Sequence, residues 1–306
     1  MARPGMRDVS AKVSSLRTAR AEAVIKMSPQ SIELIRTGKA PKGDPLGVAR
    51  VAAIQAAKNT PILIPYCHSV PLDYVGVDFE LGDDSILVTI DVKAIYKTGV
   101  EMEALTAAAA AVLNLYDLLK PVDEEMEILR VTLLEKTGGK SDAGAASDFS
   151  AAVIVVSDRV SRGVADDVSG QHLRELLRAQ GATVGAIRVV PDEAEAILGA
   201  VREAVSAESD LVFTTGGTGL GPRDITPESV IPILDSRLPG IEDQLFAYSR
   251  ERKATAMLGR PFAGRIGKTI VIGLPGSPGA VTDAVGALFP SITHAFHIID
   301  GGDHGG

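Results

Sequence analysis

Cysteine is almost missing from this chain: Cys67 stands alone among 306 residues. One thiol leaves no partner for an intrachain disulfide and too few ligands for a multi-cysteine zinc or iron–sulfur site, which fits a reducing compartment. Tryptophan is absent and aromatic residues make up only 4%, so the chain is poor in the stacking platforms that single-stranded nucleic acid uses. Cations are in deficit, with 31 Lys and Arg against 39 Asp and Glu and a formal charge of −8. Holding long nucleic acid takes many phosphate contacts, so the balance argues against it, while a small anionic ligand needs only a few local cations or a metal. The longest apolar stretch, about Ala104 to Leu113, falls short of a bilayer span. The arginines of the first eight residues precede no apolar secretory region. The expectation is a cytoplasmic protein with no membrane partner.

What is present is apolar material for two cores. At 306 residues the chain exceeds the size at which one core stops growing, and it is 45% hydrophobic and 23% charged. Between Gly138 and Ser150 small and polar residues replace the apolar patterning, which is linker chemistry. This predicts a first domain over residues 1–141, a linker over 142–150 and a second domain over 151–306.

In the first half, strand-like runs at 21–27, 75–81 and 85–95 alternate irregularly with helix-like segments at 31–36, 45–58 and 100–119, an α+β pattern. Thr98 and Glu101 have the spacing of a capping box for the last helix. After the linker the alternation is regular. Strands at 152–156, 183–190, 210–214 and 268–272 are separated by helices at 169–180 and 193–205, with another from about Gly279. That predicts a doubly wound α/β domain with a mostly parallel sheet, whose ligands gather at the carboxyl ends of the strands.

At one such end stand Thr215, Gly216, Gly217, Thr218 and Gly219, then Arg223, Asp224 and Thr226-Pro227-Glu228. Glycines let backbone amides approach a phosphate, Thr hydroxyls add donors, and Asp224 is placed to hold Mg²⁺. Thr226-Pro227-Glu228 reads as an N-cap, a first-turn proline and an acidic first turn. Ser157 and Asp158 follow another strand, Asp192 follows a third, and Leu274-Pro275-Gly276-Ser277 follows a fourth. An isolated Asp at a helix start is usually a cap; three beside one glycine loop suggest a site. Gly267-Lys268-Thr269 imitates the end of a phosphate-binding P-loop, but Phe262 occupies the required glycine position and a strand follows.

These blocks resemble the MogA/MoaB family of molybdopterin adenylyltransferases, over nearly all of residues 151–306. The resemblance implies a three-layer α/β fold, a trimer, and Mg²⁺-dependent transfer of AMP from ATP to the terminal phosphate of molybdopterin. It places Asp192 and Asp224 as catalytic and metal-holding acids, and Ser157, Asp158, the 215–219 loop and Pro275, Gly276 and Ser277 against the substrates. Gly279 departs from the pattern, since many relatives carry a basic residue there. A different reading has this half bind molybdopterin as a scaffold without turnover.

Three clusters mark the first half: Pro41-Lys42-Gly43-Asp44; Tyr66, Cys67 and His68; and the long helix with Met102 and Glu103 at its start and Asp117 and Lys120 at its end. Asp117 and Lys120 sit one turn apart, close enough to tune each other's proton affinity. A cysteine nucleophile at Cys67 is disfavoured, because neighbours on an extended segment point apart. Unaided, the residues give an α+β domain with an anion site. The same strings resemble the MoaC family of cyclic pyranopterin monophosphate synthases over roughly residues 7–141, departing at Tyr66 and Ser69. The resemblance implies a ferredoxin-like fold, a hexamer, and loss of pyrophosphate from a cyclic dihydro-GTP. It places Lys42, His68, Asp117 and Lys120 as catalytic residues, and Tyr66, Cys67, Met102 and Glu103 as substrate contacts. Glu103 and Asp117, 14 positions apart, are separated by about 21 Å on an unbroken helix. One ligand can hardly touch both in a single chain, so a site shared between protomers of a homo-oligomer is expected.

Overall fold

The computed structural model describes residues 5–139, 148–299 and 301. The chain divides into two compact units, Met1–Asp142 and Ala143–Gly306. Residues 140–147, which hold most of the expected linker, lie outside the described set, and the first strand of the second unit already begins at Phe149.

The first unit runs β1 (Ser15–Lys26), α1 (Pro29–Arg36), α2 (Pro45–Lys58), α3 (Thr60–Leu63), β2 (Tyr74–Leu81), β3 (Ser85–Tyr96), α4 (Glu101–Leu119) and β4 (Glu127–Thr137). The strands form one antiparallel sheet in the order β2-β3-β1-β4. Alternation drives it: Ala19, Ala21, Ala23 and Ile25 of β1, and Ile86, Val88, Ile90 and Val92 of β3, point into the core. The opposite face carries ion pairs such as Arg20–Asp91 (2.8 Å) and Arg130–Glu22 (2.8 Å). Helix α4 packs on this sheet through Ala104, Ala107, Ala108, Ala111 and Leu115, and α2 packs on α4 through a stripe of small residues, Ala49, Ala53 and Ala57.

Two expectations change here. Helix α4 is 19 residues long and by length and composition apolar enough to cross a membrane, so the apolar stretch is longer than the sequence reading gave. The sheet and α2 account for one side of it, burying Ala104, Ala107, Ala108, Ala111, Val112 and Leu115, while Leu113 and Tyr116 stay exposed. The capping box does not form either. Val100 is the N-cap with no side-chain bond, and the Glu101 carboxylate instead accepts from Lys136 Nζ at 2.9 Å. The sequence reading had also left out β4, most of whose residues are exposed.

The second unit runs β5 (Phe149–Val156), α5 (Asp158–Ser161), α6 (Val168–Ala179), β6 (Ala182–Val184), β7 (Arg188–Val190), α7 (Ala194–Ser206), β8 (Leu211–Thr215), α8 (Thr226–Val230), β9 (Ser236–Arg237), α9 (Pro239–Arg250), β10 (Phe262–Ile266), β11 (Thr269–Leu274), α10 (Pro278–Leu288) and α11 (His294–Ile299). Its mixed sheet has the order β6-β5-β8-β11-β10-β9, with β7 also pairing β5. Strands β5, β6, β7, β8 and β11 are mutually parallel, whereas β10 runs antiparallel to its two neighbours, β11 and β9. Ile154, Val156, Val212 and Val271 pack with Ile197 and Val201 of α7. Alternation turns Val155 to the other face, where α6 comes so close that a Cβ on Gly170 would meet Val155 Cγ2 at 2.4 Å. Helices therefore cover both faces. The single strand expected over 183–190 is two short ones, β6 and β7, separated at 185–187.

Candidate functional sites

In the first unit the fold gathers three of the expected residues at the C-terminal end of α4. Lys42, in the loop before α2, donates from Nζ to the Asp117 carbonyl (2.9 Å) and lies 3.4 Å from Asp117 Oδ2. Lys120 Nζ stands 2.7 Å from Asp117 Oδ1. The hydrogen bond and charge of Lys120, then the charge of Lys42, hold the Asp117 carboxyl below the usual carboxylate range, and Asp117 raises the Lys120 ammonium in return. All three side chains face solvent, at a helix end whose dipole favours cations. Two ammonium groups around one carboxylate leave a net positive charge to meet a phosphate.

The remaining candidates lie towards the other end of α4. Glu103 is only 3% exposed, and burial followed by the charge of Glu101 pushes its carboxyl up. Cys67 feels burial first and the Glu103 charge second, so its thiol is also raised. That opposes a nucleophilic thiolate. Its segment is a turn rather than the extended stretch expected, because Cys67 N–H donates to Ile64 O at 3.0 Å. Tyr66 and Met102 are exposed. His68 lies within electrostatic reach of Asp8, whose carboxyl is held down mainly by the Ser10 backbone N–H. Within one chain the structure does not unite these residues with Lys42, Asp117 and Lys120: α4 is continuous from Glu101 to Leu119, which puts about 21 Å between Glu103 and Asp117.

In the second unit, the carboxyl ends of β5, β7, β8 and β11 converge as expected. Asp158 and Asp192 clasp each other's backbone, Asp158 N donating to Asp192 Oδ2 (2.9 Å) and Asp192 N to Asp158 Oδ1 (3.2 Å). Neither is a helix cap. Arg223 forks onto Asp158 at 3.0 and 2.8 Å and, ahead of other influences, lowers its carboxyl. Asp192 moves the other way, pushed up by burial and then by the Asp158 and Asp224 charges. Among the described residues no group of three or more His, Cys, Asp or Glu is placed to hold a metal. A cation here would draw on the two crowded carboxylates, Asp192 and Asp224, and on oxygens of its ligand, a mode suited to magnesium.

The glycine loop is tightly built. Gly216 has φ +110°, and a Cβ there would lie 2.2 Å from Val156 O; the neighbouring strand end demands glycine. Thr215 and Thr218 are buried, with Thr215 Oγ1 donating to Pro275 O (3.2 Å). Gly276 passes so close that its Cβ would approach Gly216 Cα to 3.2 Å. The backbone N–H groups of Gly217, Thr218 and Gly219 meet no acceptor among the described residues, so the loop keeps donors for an anion. Thr226 is not the cap the sequence suggested. It is the first residue of α8, and its buried Oγ1 donates to Gly216 O at 3.0 Å. Ser157 and Ser277 do cap helices, accepting from Val160 N and Ala280 N.

Beside the loop lies a cavity of about 450 Å³, walled by Leu274, Pro275 and Ser277 on one side and by Leu245, Ser249 and Lys253 on another. That volume suits a small heterocycle. Sequence reasoning missed helix α9, which supplies this wall, and Arg260, which donates to Gly219 O (2.9 Å) and Asp224 O (2.6 Å). Nothing in the stretch Gly259-Arg260-Pro261 signals that role; only the tertiary fold brings it to the loop.

Two family models match the chain, the MoaC family over residues 6–139 and a probable molybdopterin binding domain over residues 152–294. Over 299 residues the chain is 44% identical to the molybdenum cofactor biosynthesis bifunctional protein of Chlorobaculum tepidum, covering 98% of this chain and 96% of that protein. It is 40% identical over 315 residues to the protein of the same name from Synechococcus elongatus, covering 98% and 99% respectively. Its first half is 50% identical over 138 residues to the cyclic pyranopterin monophosphate synthase of Deinococcus radiodurans, covering 45% of this chain and 82% of that protein. With a MoaC domain and a molybdopterin-binding domain of the MogA/MoaB type joined in one polypeptide, the chain belongs to the family of bifunctional molybdenum cofactor biosynthesis proteins.

Proposed function

We propose that the first unit converts 3′,8-cyclo-7,8-dihydroguanosine 5′-triphosphate to cyclic pyranopterin monophosphate with release of pyrophosphate, and that the second adenylylates molybdopterin using Mg-ATP. The observation that carries the first half is the Lys42–Asp117–Lys120 cluster. Its ammonium groups would receive the triphosphate and stabilise the charge that grows on departing pyrophosphate, while Asp117, held ionised by Lys120 and Lys42, orients both ammonium groups. His68, Cys67, Glu103, Met102 and Tyr66 would bind the remainder of the substrate from another protomer. The expected assembly is threefold-based, a trimer or hexamer. We also read the first unit as ferredoxin-like, supported by its β-α-β-β-α-β order and strand order β2-β3-β1-β4.

In the second unit an oxygen of the molybdopterin phosphate attacks the α-phosphorus of ATP. A phosphoanhydride forms, the α–β bond breaks and pyrophosphate leaves. The free N–H groups of Gly217, Thr218 and Gly219 hold phosphate, and the adjacent cavity takes the pterin ring. Magnesium, held by Asp192 and Asp224, would neutralise phosphate charge when bound. The chain's own task is alignment of the two substrates, without a covalent nucleophile. These are small-molecule reactions of the cytoplasm.

The test is pyrophosphate release by the full-length protein, run separately with the cyclic dihydro-GTP and with molybdopterin plus Mg-ATP, products being identified by mass. Lys120→Ala is expected to abolish only the first release and Asp224→Ala only the second. Release with the first substrate alone would overturn the second half and leave a synthase joined to a binding module.

A further inference from the structure

The loop from Gly216 to Ile225 has few regular ties of its own, yet one residue from a distant part of the sequence reaches four points along it and just beyond. Arg260 N–H donates to Thr218 O at 3.0 Å, Nε to Gly219 O at 2.9 Å and Nη2 to Asp224 O at 2.6 Å, while Nη1 pairs with Glu228 Oε1. The planar guanidinium has donors enough, in a fixed fork, for three acceptors at once, whereas a lysine ammonium on a flexible stem does not reproduce that geometry. The Asp224 carboxylate is locked to the same backbone: Oδ2 accepts from Gly221 N at 2.8 Å, and Asp224 N donates to Gly221 O at 3.0 Å. Whatever sets the Asp224 carbonyl therefore also aims its carboxylate. The next residue back, Gly259, lines the cavity beside the loop, so the Arg260 strut stands where the two halves of the site meet.

We propose that Arg260 is the positioning residue of the adenylyl-transfer site, fixing the glycine loop and the direction of the Asp224 carboxylate without itself touching either substrate. The inference rests on the nucleotidyl-transfer reading for its catalytic part and on geometry alone for its structural part.

The test uses the full-length protein and Arg260→Lys, with Arg260→Ala as a second variant. In Arg260→Lys, exchange of the hydrogen-bonded Gly221 and Asp224 amides is expected to quicken about tenfold while β8 keeps its protection. The kcat for AMP transfer is expected to fall about 100-fold, the scale of a small misplacement of a reacting group, with KM for molybdopterin held within about threefold. Methylguanidinium should restore part of the kcat to Arg260→Ala, which a general loss of fold would not allow. Wild-type loop exchange in Arg260→Lys, or a kcat within about twofold of wild type, would overturn the proposal. If the wild-type protein transfers no AMP at all, the nucleotidyl-transfer reading falls, and loop exchange still decides whether Arg260 holds Asp224.

Discussion

Single residues in this protein show how far position, rather than residue type, sets chemistry. Asp117 and Asp192 are both aspartates beside other charges, yet two lysines hold the first below the usual carboxylate range, while burial and two acidic neighbours push the second above it. For Asp192 the sign follows directly. A carboxyl that binds its proton more tightly in the folded state costs stability wherever the pH lies above its folded pKa, and that cost falls as the pH drops through it. Asp192→Asn removes the charge and keeps an oxygen to accept from Asp158 N. It is therefore expected to raise the melting temperature of the second unit at pH 7 while reducing AMP transfer; thermal melts at pH 7 and pH 4 check this, the gain shrinking at the lower pH. That Asp158, Asp192 and Asp224 gather at one edge of the sheet was legible in the sequence, because each follows a strand. Arg260 was not, since a lone arginine between a glycine and a proline carries no periodicity, and its value comes from carbonyls about 40 positions earlier.

At the level of elements, legibility followed the strength of the repeat. Helix α2 was expected over 45–58 and forms over those residues, because Asp44 caps it, Pro45 opens it and buried small residues recur at every fourth position. The edge strand β4 escaped notice: it has only β1 beside it, its register against β1 shifts twice, and its alternation is blurred by exposed Leu129, Val131 and Leu134. Helix α9 and strand β10 lie in a stretch whose polar and apolar residues give no clean period, and they take their places from α10 and β11. Close packing of α2 on α4 depends on small side chains, Ala53 being 0% exposed. Ala53→Leu adds three carbons where no space remains and is expected to destabilise the first unit by about 1–3 kcal/mol, measured by urea unfolding with a probe confined to that unit.

For the whole molecule, the two compact units each have a core and a sheet of their own. Domains of this kind unfold as separate cooperative blocks unless a large interface couples them. Scanning calorimetry of the full-length protein is expected to show two transitions, with Ala53→Leu lowering one and leaving the other in place; a single transition that moves as a whole would contradict this. The domain order was legible because residues 138–150 interrupt two different rhythms, irregular before and regular after. Only the start of the second domain, expected at 151, falls late, since Phe149 and Ser150 already belong to β5.

Helix α4 is also a ruler. It carries Glu103 near one end and Asp117 near the other on a single unbroken rod of 19 residues, so their spacing and relative bearing are set by count alone. Each residue removed or added between them shortens or lengthens the rod by about 1.5 Å and swings one acid by about 100° relative to the other. Substitutions on the outer face of α4 leave that measure untouched, whereas a one-residue change in length alters it, so on that face the count of residues sets the spacing and their identity does not.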